Sequence, residues 1–370
     1  MFSPFVGGMM KQAVGSPTVP FRAIFSKIES EQAGFRFPTY ADQARAFLEA
    51  KNQPAIFSVF DPNIQNPYTG NVYLGVQHSL SSDSVLETAF VGNRGVKYPL
   101  HRVFNQVDRL TGLRPNPAIG EGYYVDNSQS TIYTSWQTSF RHRFSRGLTS
   151  SVHYTWAKGL ATENGDIGGY YQGVADVRVQ NFFNLRAERG PADGDMTHFF
   201  SGDAIYDLPK LASQHAAVRH ALGGWQVSGI FTAGTGTPLL ILQGGARETS
   251  RPDYVGGNPV LSNYRDTLQY LNVAAFQKIP IGAASGRTIR PGNIGSGAVR
   301  GPGFWNLDAS IAKNFSITEK ARLQIRMDAF NFFNHTNLTT FSTDINNARF
   351  GTFTNTRGAR VIQLNARITF

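Results

Sequence analysis

From Arg360 to Phe370 the chain alternates with a period of two. Ile362, Leu364, Ala366, Ile368 and Phe370 fall on one side, and Val361, Gln363, Asn365, Arg367 and Thr369 on the other. Such alternation describes a strand with one apolar and one mostly polar face. The same pattern recurs upstream. Trp305, Leu307, Ala309 and Ile311 alternate with Asn306, Asp308, Ser310 and Ala312, and Leu323, Ile325, Met327 and Ala329 alternate with Arg322, Gln324, Arg326 and Asp328. A further pair covers 128–144 and 147–158: Ile132, Thr134, Trp136, Thr138, Phe140 and Phe144 share a face, which Leu148, Val152, Tyr154 and Trp156 continue. A third pair is 71–80 and 84–92, with Val72, Leu74, Val76 and Leu80 on its apolar side. Strands at 196–208 and 224–234 bring the count to nine or ten.

Several of these strands reach ten residues. Strands of soluble sheets usually run about 5–6 residues, whereas a membrane-crossing strand takes about 9–11 and alternates lipid-facing with lumen-facing positions. The polar face carries too much charge for a sandwich core, and Arg141, Arg143, Arg322, Arg326, Asp328 and Arg367 are assigned to a lumen. Aromatics near strand ends (Trp136, Tyr154, Trp156, Trp225, Trp305) fit interfacial girdles. Short connections at 81–83, 145–147 and 315–319 alternate with long ones at 95–127, 159–194, 235–303 and 334–357. The connection at 209–223 is intermediate. The pattern predicts an all-β fold, a transmembrane antiparallel β-barrel, occupying residues 51–370 after an irregular segment over 1–50.

Composition narrows the choices. The 370 residues include no cysteine, which removes disulfide frameworks and cysteine-based zinc sites. Charged residues are 16% of the chain, against about 25% in ordinary soluble domains, and aromatics are 12%. No apolar run approaches the roughly 20 residues of a spanning helix, and the N-terminus has no signal-peptide pattern. The net charge of +10 raises nucleic-acid binding, but the basic residues form no stripe and several lie on the assigned lumen face, so no nucleic-acid partner is expected. Asp193-Gly194-Asp195 lacks the spaced oxygens of a calcium loop and reads as a solvated turn. Glu163-Asn164-Gly165-Asp166 reads as flexible loop. Ala233-Gly234-Thr235-Gly236-Thr237-Pro238 lacks the lysine of a phosphate loop and reads as a strand running into a loop. No catalytic constellation stands out, so neither an enzyme nor a cofactor is expected.

Gly301-Pro302-Gly303-Phe304-Trp305-Asn306-Leu307-Asp308, Phe330-Asn331-Phe332-Phe333-Asn334-His335-Thr336-Asn337 and the terminal Phe370 resemble the C-terminal barrel region of TonB-dependent outer-membrane receptors. Phe90-Val91-Gly92-Asn93-Arg94-Gly95 and Asn184-Leu185-Arg186-Ala187-Glu188-Arg189-Gly190-Pro191 resemble in particular the Oar-like, carboxypeptidase-regulatory-like group abundant in Acidobacteria. The resemblance implies part of a barrel of about 22 strands, in a Gram-negative outer membrane, serving uptake of a solute. It implies partnership with the TonB complex through a plug absent from this chain, and with outer-membrane lipid and lipopolysaccharide. It also implies that Met1 is an internal or truncated start. Leu364, Ala366, Ile368 and Phe370 then resemble the signal read by the barrel-assembly machinery. Tyr123, Tyr124, Tyr170 and Tyr171 are candidate ligand contacts in the loops. A plug-less porin or structural barrel, and a secreted all-β adhesin, are the alternatives.

Overall fold

The computed structural model describes the backbone of residues 21–22, 56–120, 122–143, 147–162, 179–209, 211, 215, 218, 221–244, 250–318 and 321–370. Nine long strands dominate: β1 (Tyr68–Ser81), β2 (Ser84–Phe104), β3 (Gly122–Arg143), β4 (Leu148–Ala161), β5 (His198–Asp207), β6 (Trp225–Gly234), β7 (Phe304–Ser316), β8 (Arg322–Phe330) and β9 (Val361–Thr369). Each pairs antiparallel with the next in chain order, giving one continuous meander. A short strand, Ile56–Phe60, adds in parallel to the start of β3, and Phe21–Arg22 pairs with it. No helix among the described residues is long and apolar enough to cross a membrane.

The alternation reads through into two faces. Directly paired residues share a face, so the register can be followed across the sheet. Leu74, Phe90, Trp136, Trp156 and His198 form one such row, and Val227, Ile311, Met327 and Leu364 form another on the same side. The opposite side carries Arg141, Ser151, Asp203, Ile230 and Asp308 in one row. Its neighbours there include Ser310, Asp328 and Gln363.

The apolar face has girdles at two heights. Trp305 lies near the loop end of β7 and Phe315 near its turn end, ten residues apart (315 − 305 = 10). At about 3.3 Å per residue and a tilt near 40°, this is about 25 Å of height, the expected apolar band of an outer-membrane barrel. At the turn end Lys313 also points to the apolar side, opposite Trp225 and Ile325. Its Nζ lies 5.0 Å from the Trp225 ring centre and 5.3 Å from that of Phe315, and donates to the Ala221 carbonyl at 3.2 Å. A lysine stem laid along aromatics with its head at a carbonyl suits the membrane boundary. Trp136 and Trp156 pair with each other well inside their strands rather than at the strand ends. The reason is that β3 and β4 continue beyond the apolar band.

That continuation corrects the expected loop at 95–127. β2 and β3 run 21 and 22 residues and only 105–121 connects them. The pairing slips by one residue between Gly95 and Tyr98 and back between Tyr98 and Leu100, with Lys97 at φ 59. Each bulge shifts the side-chain phase, so a strict period of two breaks although the strand does not. Beyond the bulges Leu100, Val103 and Val125 are buried. The turn expected at 315–319 lies later, at 317–321, closed by Ile317 N–H donating to the Ala321 carbonyl.

Both outermost strands are open. Every residue of β1 and of β9 is exposed, and each strand pairs on one side alone among the described residues. Both run from the long-loop end to the turn end, so joining them would create a parallel seam. Closing this meander with antiparallel pairs alone takes an odd number of further strands.

Candidate ligand-binding layer on the long-loop side

The described parts of the four long connections do not trail from the sheet. Those at 235–303 and 331–360 fold on each other around Ile241, Tyr270, Leu271, Ala275, Phe276, Ile294, Val299, Ile345, Phe350 and Phe353. Tyr270 packs against Tyr264, Phe341 and Phe353 and donates its hydroxyl to the Arg300 carbonyl at 2.8 Å. Burial, with Tyr264 adding to it, pushes its pKa up to about 12. A second cluster joins the top of β2 to the 162–197 connection through Leu100, Val103, Val179 and Phe182.

Polar bonds fasten these pieces together. Arg251 and Glu188, from different connections, form an ion pair at 2.6 Å with each side chain only 2% exposed. Arg251 also donates to the carbonyls of Ile294 and Ala187, while Glu188 accepts the amides of Gln180 and Asn181. The Gln180 side chain accepts from the Arg251 and Gly292 amides and donates to the Gly292 carbonyl. Arg109, from the 105–121 connection, donates to the carbonyls of Thr288 and Gln180. A buried charge pair survives only when its remaining hydrogen-bonding capacity is met, and here backbone groups of both connections meet it. Arg290 grips Asp253 with two hydrogen bonds, which hold that carboxyl below the usual range although burial opposes.

Asp195 ties this layer to the sheet. It accepts from the Gly159 amide at 2.6 Å and pairs with Arg300 at 2.5 Å, its own side chain fully buried. The Asp193-Gly194-Asp195 segment is therefore a pinned turn, not the solvated one expected from sequence. No group of three metal-ligating side chains occurs among the described residues.

The Asn-rich segment after β8 has a structural role of its own. Asn331 and Asn334 adopt positive φ (49 and 50), which asparagine tolerates. The Asn331 side chain donates to the carbonyls of His335 and Gly358, its amide donates to Asp308, and Asn337 pairs with both backbone groups of Trp305. His335 stacks on Trp305 at 4.0 Å, where burial, aided by the charge of Arg265, lowers its pKa.

Tyr123 and Tyr124 lie in β3 rather than in a loop, opposite Val103 and Arg102. Tyr124 has its pKa raised by burial and then by Asp61. Tyr170, Tyr171 and the 163–169 segment fall outside the described residues. Arg141, Arg143, Arg322, Arg326, Asp328 and Arg367 share the polar face, where Arg326 pairs with Asp328 at 2.7 Å. Among the described residues the other four arginines meet no carboxylate, and Arg143 and Arg322 adjoin the turn ends of β3 and β8. Leu364, Ala366 and Ile368 line the apolar side of the open strand β9, opposite Met327, Ile325 and Leu323, and Phe370 is 92% exposed. Sequence reasoning missed the pairings of Glu188 with Arg251 and of Asp195 with Arg300, which span 63 and 105 residues.

Among the described residues, cavities adjoin the layer at two places. One of about 390 Å³ is lined by Thr131, Tyr133, Thr155 and Phe199 of the polar face and by Asp193–Met196. The other, about 910 Å³, lies across the loop ends of β4 to β7 beneath Tyr264 and Arg265.

No curated protein sequence matches the chain. Among solved structures, the outer membrane transporter YddB from Escherichia coli aligns over 85% of this chain and 34% of its own, at 11% identity and a TM-score of 0.47. FpvA of P. aeruginosa, bound to pyoverdines, aligns over 83% and 27%, at 11% identity and 0.42. The FrpB iron transporter from Neisseria meningitidis aligns over 90% and 35%, at 10% identity and 0.41. The chain thus spans between about a quarter and about a third of the length of these structures. A family profile described as the outer membrane beta barrel domain matches residues 6–363. The chain belongs to the outer membrane β-barrel domain family, and the outer membrane is where it resides.

Proposed function

We propose that this chain forms part of the barrel of a TonB-dependent receptor that takes up a solute from outside the cell, and that it belongs to the Oar-like group. The observation that carries this reading is the open nine-strand meander roofed by an interlocked loop layer. A barrel exposed to lipid leaves no edge unpaired, so the two open strands imply partner strands, an odd number of them. A barrel of 22 would need thirteen more (22 − 9 = 13), the number being that implied by the family resemblance. The roof supplies a fixed surface for the ligand on the outer side. Arg141, Arg143, Arg322 and Arg367 gather near the turn end of the lumen face and favour an anionic solute there. Leu364, Ala366, Ile368 and Phe370 present β9 to the barrel-assembly machinery, and TonB acts through a plug carried by other residues of the receptor.

Planar-bilayer recording of the purified chain tests the reading. As part of a larger plugged barrel it gives no stable unit conductance by itself. Reproducible single-channel steps from the chain alone would contradict the proposal and favour a plug-less porin.

A further inference from the structure

The cavity of about 390 Å³ lies on the polar face at its loop end, where a solute arriving from outside first meets the wall. Its shape follows from the register. Tyr133 of β3 stands beside Gly159 of β4, and Phe199 of β5 stands beside Thr155 of β4. On the same face of β4, only Ala157 lies between Thr155 and Gly159, so two aromatic side chains flank a floor without bulk. The turn Asp193-Gly194-Asp195-Met196 closes the outer side. This lid is fixed in place. The Gly159 amide donates to Asp195 at 2.6 Å, the Ala192 amide donates to the Gly159 carbonyl at 3.0 Å, and Arg300 holds Asp195 from the far side. A Cβ at Gly159 would stand 3.3 Å from the Ala192 Cβ and 3.4 Å from the Asp195 Oδ1, so a side chain there would press on the lid. The cavity is therefore formed before any ligand arrives, which lowers the cost of binding.

The lining selects the chemistry of the occupant. Thr131, Tyr133 and Thr155 bring three hydroxyls, and among the described residues no protein group bonds them. No basic side chain lines the cavity, so an anionic group gains nothing here. An aliphatic chain would suit the rings but bury the hydroxyls without partners. A pyranose ring with equatorial substituents meets both demands, having an apolar C–H face and a rim of hydroxyls that donate and accept. The volume, at the lower end of the roughly 300–1,000 Å³ of small-ligand pockets, takes about one or two such rings. We infer that this notch binds a neutral pyranose unit of the incoming solute, its C–H face on Tyr133 and Phe199 and its hydroxyls on Thr131, Thr155 and the Tyr133 phenol. The inference rests on the reading of this chain as the wall of an uptake receptor, and it gives that receptor a carbohydrate-bearing cargo. The arginines Arg141, Arg143, Arg322 and Arg367 lie toward the other end of the same face, so an acidic group elsewhere on the solute is compatible with a neutral ring in the notch.

The test uses the full chain folded in an amine-oxide detergent, which carries no sugar of its own. Binding is read by saturation-transfer NMR with cellobiose, whose rings have equatorial hydroxyls, and with sorbitol, which has hydroxyls on an open chain and no ring face. Cellobiose should receive saturation from the protein and sorbitol far less. Tyr133→Ala should weaken cellobiose binding about tenfold, and Tyr133→Phe, which keeps the ring and loses one hydroxyl, about threefold. Ala157→Leu fills the floor and should abolish binding with heat-modifiable gel migration retained. Tyr154→Ala removes an aromatic from the opposite face of β4 and should leave binding unchanged. No transfer to cellobiose from the folded protein, equal transfer to sorbitol, or equal losses in Tyr133→Ala and Tyr154→Ala would each overturn the proposal. The receptor reading fails separately. Single-channel steps from the chain alone would remove it even if the notch holds sugar, and a notch that binds no sugar leaves it standing.

Discussion

Arg251→Ala is expected to unfasten the loop layer while leaving the nine strands assembled. The substitution strands Glu188 as a buried carboxylate, 2% exposed, and removes donors from the carbonyls of Ile294 and Ala187. Breaking a buried pair from one side costs about 3–5 kcal/mol, enough to open a unit that rests on one apolar cluster and this network. Arg251→Lys should recover only part of the loss, because one ammonium cannot reproduce the fork that reaches Glu188 and two carbonyls at once. Glu188→Ala should have a similar effect by orphaning Arg251 and the amides of Gln180 and Asn181. The double variant should lose less than the sum of the two, since both act on one network. Limited proteolysis of the folded protein in detergent reads the outcome. New cleavage within 250–300 is expected, with far-UV circular dichroism and heat-modifiable gel migration retained. An unchanged cleavage pattern would show that the pair does not hold the layer.

The sheet was legible from sequence and the layer was not, for a physical reason. A strand with lipid on one side and polar groups on the other must alternate at every position, so β7, β8 and β9 are written locally, as Trp305 to Ile311 and Ile362 to Ile368 illustrate. The same rule failed at Gly95 to Leu100, where two bulges shift the phase, and β2 consequently looked shorter than it is. In the loops no period exists to read. Glu188 meets Arg251 and Asp195 meets Arg300 because the topology brings remote connections together, and nothing adjacent to Glu188 in sequence announces a partner 63 residues away. The segment Asn184 to Pro191 was singled out by resemblance alone, and its meaning becomes physical only once Glu188 is seen at its centre. The Phe330–Asn337 segment is similar. Its asparagines hold a reversal of the chain at two positive-φ positions and anchor it to Trp305 and Asp308.

The second large effect is expected at Gly236. Thr235-Gly236 leaves β6 just where Gly301-Pro302-Gly303 enters β7, and the two backbones cross in close contact. A Cβ at Gly236 would stand 1.7 Å from the Gly301 carbonyl oxygen and 2.3 Å from its carbon. Neither partner is a side chain that can swing aside, so the strands must part. Parting them strains the Gly301 amide bond to the Thr237 carbonyl and the Arg300 bond to the Gly236 carbonyl. Overpacking of this kind costs about 1–3 kcal/mol, and more where backbone must move. Gly236→Ala should therefore lower the thermal midpoint of the detergent-folded protein clearly. Gly257→Ala serves as a control for close contact, since a Cβ there meets nothing within 4 Å and only its positive φ is strained. A midpoint for Gly236→Ala above that of the control would contradict the crossing.

The central claim is that one face of this sheet meets lipid and the other meets water. The chain has no cysteine, so single cysteines can be placed without background. Spin labels at each position from 305 to 311 on β7, in the chain reconstituted in lipid vesicles, should show accessibilities to oxygen and to a water-soluble nickel complex that alternate out of phase. Labels at 305, 307, 309 and 311 should favour oxygen, and labels at 306, 308 and 310 the nickel complex. Uniform accessibility along the strand, or alternation in the opposite phase, would contradict the account.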